Sequence, residues 1–501
     1  MKNNTKNTQI GIYIVLILAL YLLCNFNFLE SWWKQFYIIC GGMTLYIFIE
    51  LKNLYKKEKK LFFLNPIFIS SITTFLLSLG GLTGFLLTYD GKFFLQGTTY
   101  MVDALYAEPQ WMVKAVGYSF IGSIFMWIGY KTDLGSQLFI FYTKKLQYDK
   151  LIDTPLSYNK LFLLFLFAYG VKLYLYANGL YGYQQLRYDV FENSRLHVFQ
   201  NLGSLLFAII AYQYYVKKDK QMQLWFFISF VLELLFSLIH GARSTIIMFF
   251  VLVMIVRIVS GVKIKIKHAA YGFLIVLFAL TFGAEFKHYL GSSAQKTDIN
   301  SPLKAIESFF SSRQEIVADL ERLNTAAEDQ SGIKNISYYF AVGRFAYVGE
   351  TALSIRHKDL YGLQDSDPSF LYYILTSPFF AIFPSYYFFN IKEPPWGGWY
   401  FYEVQKPNYI SNVSIAFSPI GYLYFLGKLP AVMLGCFFYG VLLKFTNVLK
   451  NKEGVGYFVL FLALFSTVYT FDTSVHSIFL IFIRYTILFP IAYYLFFTKI
   501  K

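Results

Sequence analysis

At 501 residues the chain is 56% hydrophobic and only 15% charged, with a mean hydropathy of +0.47, a balance that excludes an ordinary soluble protein and marks a polytopic membrane protein. Its formal net charge of +15 reflects positive loops on one side of a bilayer and contact with anionic lipid, and implies no nucleic acid. The three cysteines, Cys24, Cys40 and Cys436, all lie inside apolar runs, which points to neither a disulfide framework nor a metal cluster.

Taken in order, the chain offers about twelve apolar segments long enough to cross a bilayer as helices. The first, 10–28, follows Lys2 and Lys6 and has no small-residue cleavage site after it, so it reads as a retained helix with its amino terminus inside. A second at 36–51 precedes the basic loop from Lys52 to Lys60. The others fall near 67–88, 111–130, 161–180, 202–215, 224–238, 245–262, 271–286, 431–445, 455–469 and 478–497. Every loop that this order places inside is lysine-rich: Lys131, Lys144, Lys145 and Lys150, then Lys217, Lys218 and Lys220, then Lys263, Lys265 and Lys267, and finally Lys444, Lys450 and Lys452. Both termini then lie inside. The expected organisation is nine helices over 1–286, a large, mainly helical extracytoplasmic loop over 287–412, and three helices over 413–501.

The stretch from Ser237 to Phe250 places His240, Arg243, Ser244 and Thr245 between two long apolar runs, which predicts a helical hairpin tip at the outer surface. A second helix starting near Ser244 or Thr245 would aim free N–H groups and its positive dipole end at the spot served by the Arg243 guanidinium, a setting for phosphate. The alternative is that Arg243 snorkels to lipid headgroups and Gly241 makes a tight turn. Of nine arginines, seven (Arg187, Arg195, Arg243, Arg313, Arg322, Arg344, Arg356) fall on the outer side against the orientation bias. Arginine suits planar, bidentate grip on phosphate or carboxylate, although Arg313 and Arg322 read better as partners of Glu315, Asp319 or Glu321 on a solvated helix.

Ionisable groups also occur within the spans. Glu233, Ser237 and His240 follow i, i+4, i+7 spacing along one helical face, Lys172 shares a side with Tyr169 and Tyr176, and Arg484 lies about two turns into the last helix. Such groups are costly at depth unless they pair or line a wet cavity. The reading is one outward-open cavity with Glu233 neutralised by Lys172 or Arg484; the alternative is ion pairs that only hold the bundle together.

The outer segment opens with an amphipathic pattern over 302–327 and continues with a second candidate helix, 338–356, carrying Arg344, Glu350 and Arg356 beside His357. The apolar stretch 370–389 is broken by Pro378 and Pro384 and reads as re-entrant or interfacial. Aromatic residues in Glu393 to Tyr400 can stack on sugar rings or anchor at the lipid interface. Asp365-Ser-Asp367 beside Pro368 reads as a turn rather than a metal site. No Gly-rich nucleotide loop, Ser nucleophile elbow or paired His/Cys metal spacing occurs in the sequence.

A dozen helices, one large late outer loop, the Gly241-Ala-Arg243 tip, and the run Gly421-Tyr-Leu-Tyr-Phe-Leu-Gly427 followed by Gly435 and Gly440 together resemble the Wzy-type oligosaccharide repeat-unit polymerases, whose general layout the O-antigen ligases share. One departure is that the Arg-x10-Gly pattern of some members starts at none of the outer arginines. The resemblance implies an all-α, GT-C-like glycosyltransferase of the bacterial cytoplasmic membrane, working without metal or cofactor. Its donor would be a polyprenyl-diphosphate-linked oligosaccharide, and its partners membrane lipids, a flippase and a chain-length regulator. A hydroxyl of one repeat unit attacks the anomeric carbon of the donor and the lipid diphosphate leaves. Arg243, Arg187, Arg484 and Arg344 are then the candidates to hold the diphosphate, His240, Glu350 and His357 the candidate bases, and Glu233 and Lys172 the cavity lining. An O-antigen ligase, or a lipid-linked oligosaccharide flippase or transporter, is the alternative.

Overall fold

A computed structural model describes residues 2–29, 31–75, 108–152, 156–177, 202–240, 243–261, 309–315, 347–361, 419–469 and 475–498, together with residues 274 and 318. Among these residues the chain is helical almost throughout and contains no strand, only an isolated bridge between Leu156 and Thr498. Among the described residues four helices are long and apolar enough to cross a membrane, and several shorter ones are apolar. Large side chains such as Ile14, Val15 and Leu18, Leu45 and Phe48, or Leu163 and Leu166 stand exposed. Contiguous apolar faces of this kind suit lipid rather than water. The protein is therefore an all-α, membrane-embedded chain.

The helices are α1 (Lys2–Asn25), α2 (Trp32–Glu58), α3 (Pro66–Phe75), α4 (Gln110–Lys131), α5 (Leu134–Lys145), α6 (Tyr148–Ile152), α7 (Tyr158–Ala177), α8 (Leu202–Tyr215), α9 (Met222–His240), α10 (Arg243–Val259), α11 (Tyr347–Tyr361), α12 (Pro419–Lys450), α13 (Val455–Tyr469) and α14 (Val475–Phe497). They form two compact units. The first takes residues 1–148, 337–452 and 460–491; the second takes 149–336, 453–459 and 492–501.

The first unit is built around α4, a helix apolar on every side and therefore suited to a central position. Sixteen of its 22 residues are buried, against α1, α2, α11 and α12. Glycines set the closest approaches: a Cβ on Gly129 would lie 2.0 Å from the Phe437 carbonyl oxygen, and one on Gly440 2.0 Å from that of Met126. Small residues at such crossings let backbones meet, as lipid-embedded helices require. Polar groups gather at the two ends of α4. Near its last turn Lys131 pairs with Glu50 at 2.6 Å, Lys450 pairs with Glu58 at 2.5 Å, and Asn65 bridges Glu58 and the Tyr130 hydroxyl. Near its first turn stand Glu108, Lys114, Arg356 and Asp359. Lys114 and Tyr130 are separated by about 24 Å along the helix, on the scale of a hydrocarbon core.

The last large helix of this unit departs from a simple span. Within α12 the helix is broken at Gly427 and Lys428, and residues 419–426 fold back along the part that follows: a Cβ on Gly435 would lie 2.4 Å from Leu423 Cδ2. Ile420 reaches Gly122, about 18 Å along α4 from its start, and the Tyr424 ring stacks on Tyr118 at 5.2 Å. The short helix therefore begins at mid-height of α4 and rises to the break, where the long arm turns back down. All eight of its residues are buried, the condition under which interrupted backbone is tolerated at membrane depth. Pro419 at its first position brings no N–H that would need a partner there. A small apolar cavity of about 20 Å³, room for roughly one water, lies at its base between Pro419, Ile420, Gly122, Cys436 and Tyr439.

The second unit centres on α8, which packs on α7, α9 and α10. Its residues 206–212 are all buried, with Phe207 stacked on Phe226 and the Tyr212 ring tilted against Phe458.

Two helices match the sequence reading closely: α8 and α13 cover the expected 202–215 and 455–469. The lysine-rich stretch expected to be an inside loop after α4 instead forms α5 and α6. Gly135 and Phe139 pack α5 against Val441 and Phe445 while Ile140 and Phe141 stay exposed, so an amphipathic surface helix accounts for the difference. The long arm of α12 after the break at Gly427 and Lys428 contains the tenth expected segment, 431–445, whereas the short arm, 419–426, is an element the sequence reading did not expect. The stretch expected at 271–286 apart from residue 274, that at 302–327 apart from 309–315 and 318, the stretch 370–389 and the loop 393–400 lie outside the described residues, as does the second half of the expected third span.

Candidate anion-binding site

The site is built by α11. Ala352 and Ile355 are fully buried in the core of the first unit, and the small Thr351 and Ser354 lie against Gly421, where a Cβ would stand 3.2 Å from Ser354 Oγ. This close packing carries the polar end of α11 up beside the short rising helix. The His357 ring stacks on Phe425 with centroids 5.9 Å apart, and the Lys358 ammonium lies 5.1 Å from the same ring. Both side chains are buried, at 6% and 2% exposure.

Asp359 is the meeting point. Lys114 donates to its Oδ2 at 2.6 Å, the Tyr424 hydroxyl donates to Oδ1 at 2.7 Å, and the Lys428 ammonium stands 3.6 Å from Oδ1. One carboxylate thus serves a cation from α4, a phenol from the rising helix and a second cation from the helix break. Beside it, Arg356 donates to Glu108 through Nη2 at 3.0 Å and Nε at 3.4 Å, and Trp111 Nε1 donates to the same carboxylate at 2.6 Å. Lys114 in turn lies over the Trp111 ring at 4.7 Å. Among the described residues the cluster joins Lys114, Arg356, Lys358 and Lys428 with only Asp359 and Glu108.

The hydrogen bond from Arg356, aided by that from Trp111, holds the Glu108 carboxyl below its ordinary value of 4.5. A depressed carboxyl favours the folded state above its unfolded value, and the benefit is lost as pH falls through the folded one. Glu108 is over a third exposed, so this is a modest, solvent-screened effect.

Of the residues singled out from the sequence, His357 and Arg356 belong to this cluster. Glu350 lies in the first turn of α11, with its side chain outside the described residues. His240 is the last residue of α9 and Arg243 the first of α10, with two residues between them in the chain; their side chains, and the whole of Arg187, Arg195 and Arg344, lie outside the described residues. Arg484 is on α14 with an exposed side chain. Arg313 and Glu315 are exposed on a helical stretch.

Glu233 and Lys172 form a separate arrangement in the second unit. Lys172 Nζ donates to Glu233 Oε1 at 2.5 Å and Ser204 Oγ donates to Oε2 at 2.8 Å. Both charged side chains are almost wholly buried, and the ammonium lies 5.5 Å and 5.3 Å from the Tyr169 and Phe236 rings. Lys172, one of the two cations weighed for Glu233, is in contact with it. Ser237, expected on the same face, is buried as well. A Cβ on Gly203 would lie 2.6 Å from Glu233 Oε1 and 2.8 Å from Lys172 Nζ, so glycine leaves the space that the pair fills.

Sequence reasoning missed Lys114, Asp359, Tyr424 and Lys428. Two signals pointed to them: Ser418-Pro419, a helix-start pair, and Gly427-Lys-Leu-Pro430, a break ahead of the apolar run. Lys114, one turn inside an expected span, is a position where a charge calls for a partner. Among the described residues, no three His, Cys, Asp or Glu side chains converge to hold a metal ion. Comparison with family models, with curated proteins and with solved structures finds no match for this chain.

Proposed function

We propose that this chain joins polyprenyl-diphosphate-linked oligosaccharide repeat units into a surface polysaccharide at the outer face of the bacterial cytoplasmic membrane, by glycosyl transfer that uses neither metal nor cofactor. The observation that carries this reading is the cluster of cations and aromatic rings around Asp359 and His357, at the end of α4 opposite the Glu58–Lys450 end. By the charge alternation of the loops, the Asp359 end faces outward. About twelve spans, cytoplasmic termini and a GT-C-like architecture are parts of the same proposal.

The chemistry asks for cations that stabilise a departing diphosphate and a base for the attacking hydroxyl. Arg243, Arg187, Arg344 and Arg484 are proposed for the first task. For the second, His240, Glu350 and His357 are proposed, with His357 supported by its place among the cations. The energy of the bond formed comes from the donor linkage, so no nucleotide is consumed. Deleting the gene tests the reading: surface glycan should collapse to single repeat units. Polymer retained on its polyprenyl carrier would indicate a ligase, and the absence of any displayed unit a flippase.

A further inference from the structure

We propose that Asp359 is a built-in occupant of an oxyanion seat formed by Lys114, Lys428 and Tyr424, and that a phosphate group displaces it there. The proposal deepens the polymerase reading by adding a phosphate seat to the arginines proposed for the departing diphosphate, and rests on that reading for the choice of phosphate.

Three observations carry it. First, the carboxylate underfills its surroundings. Its two oxygens satisfy Lys114 at 2.6 Å and Tyr424 at 2.7 Å, which leaves Lys428 at 3.6 Å, beyond hydrogen-bonding range. A tetrahedral phosphate carries more oxygens and more charge than a carboxylate and can serve both ammonium groups and the phenol together. Second, the seat has an open side. Lys428 is 54% exposed while Lys114 and Asp359 are 17% and 16% exposed, so an anion arriving from outside meets Lys428 first.

Third, the backbone at Lys428 has φ 56° and ψ −154°, a region that strains any residue with a Cβ. Glycine would hold it freely, and Gly427 stands next to it, yet the strained position carries lysine. The side chain at that position, projecting from the turn between the two arms of α12, accounts for keeping the strain. Displacing Asp359 would also release its hold on Tyr424 and Lys428, so occupancy of the seat is coupled to the set of the hairpin.

The test is binding to the purified full-length protein at low salt, measured calorimetrically with pyrophosphate and, separately, with phosphatidic acid in phosphatidylcholine nanodiscs. Wild type should bind weakly. Asp359→Asn, which removes the competing anion, should bind roughly tenfold more tightly, a gain of about 1.4 kcal/mol. Lys428→Gly should weaken binding by at least as much without lowering the melting temperature, because glycine suits the turn. Binding of pyrophosphate identifies the group alone as sufficient, and binding only in nanodiscs identifies a lipid-borne phosphate. Absence of binding to either probe in wild type and Asp359→Asn overturns the proposal. So does a Lys428→Gly protein that binds like wild type, a readout that stands even if the Asp359 variant does not fold. Binding without polymer formation in cells would leave the seat standing and remove the polymerase reading; polymer without binding would do the reverse.

Discussion

Gly203 shows how one residue makes room for two others. The Lys172–Glu233 pair is shielded from solvent, capped by Ser204 and flanked by two aromatic rings. In such a setting the loss of one partner strands the other as a buried charge, which costs about 3–5 kcal/mol, whereas replacing both by neutral groups is close to neutral. Glu233→Gln should therefore sharply reduce membrane abundance, and Glu233→Gln with Lys172→Met should restore it. Glu233→Gln with Arg484→Met should not, since both oxygens of Glu233 are held by Lys172 and Ser204. Quantitative blotting of membranes checks this, and equal abundance of the single and both double variants would sink it. Polymer formation by the recovered Lys172 variant would show that the pair serves only to hold the unit together.

At the level of elements, the crossing of α4 and α12 is set by glycines on both helices. Adding a methyl at Gly440 would press it to 2.0 Å from a backbone oxygen that cannot rotate away, whereas Gly41 on α2 has nothing within 4 Å. Gly440→Ala should cost about 1–3 kcal/mol or more through overpacking. Gly41→Ala should be neutral or stabilise by up to about 1 kcal/mol through helix propensity. Thermal unfolding in one detergent compares the two directly, and equal melting temperatures would show that the helices do not meet at these residues. The same crossing steadies the long arm of α12 against which the short rising helix packs, and so supports the height at which Tyr424 and Lys428 are presented to Asp359.

For the whole molecule, the lysine distribution makes a claim about sides. All three native cysteines are buried, so labelling of introduced ones has a low background. A cysteine at Lys145, exposed at the end of α5, or at Lys265 should resist an impermeant thiol reagent in intact cells and react after permeabilisation, while one at Asp365 should react in intact cells. Reaction at Lys145 in intact cells would invert the orientation and place the Asp359 cluster on the cytoplasmic side, where an extracytoplasmic polymerase could not use it.

The sequence by itself determined where the apolar helices lie, because an apolar segment in lipid must satisfy its own backbone hydrogen bonds, and that requirement is local to each run. This is why 202–215 and 455–469 were legible to the residue, and why Glu233 stood out as a group in need of a counter-charge. The tertiary structure alone decided which polar groups meet. Lys114 and Asp359 are 245 residues apart in the chain, and no local pattern links them. Lys172 reaches Glu233 because α7 and α9 both pack on α8, around the space left by Gly203. The rising helix over 419–426 reads in sequence as the lead-in to a span. It becomes the wall of a site because Gly427 and Lys428 turn the chain and the small residues of α11, α4 and α12 let it fold back into the interior. Helix formation follows from hydrophobicity along the chain, whereas the convergence of charges follows from shape between helices, which only the packed structure contains.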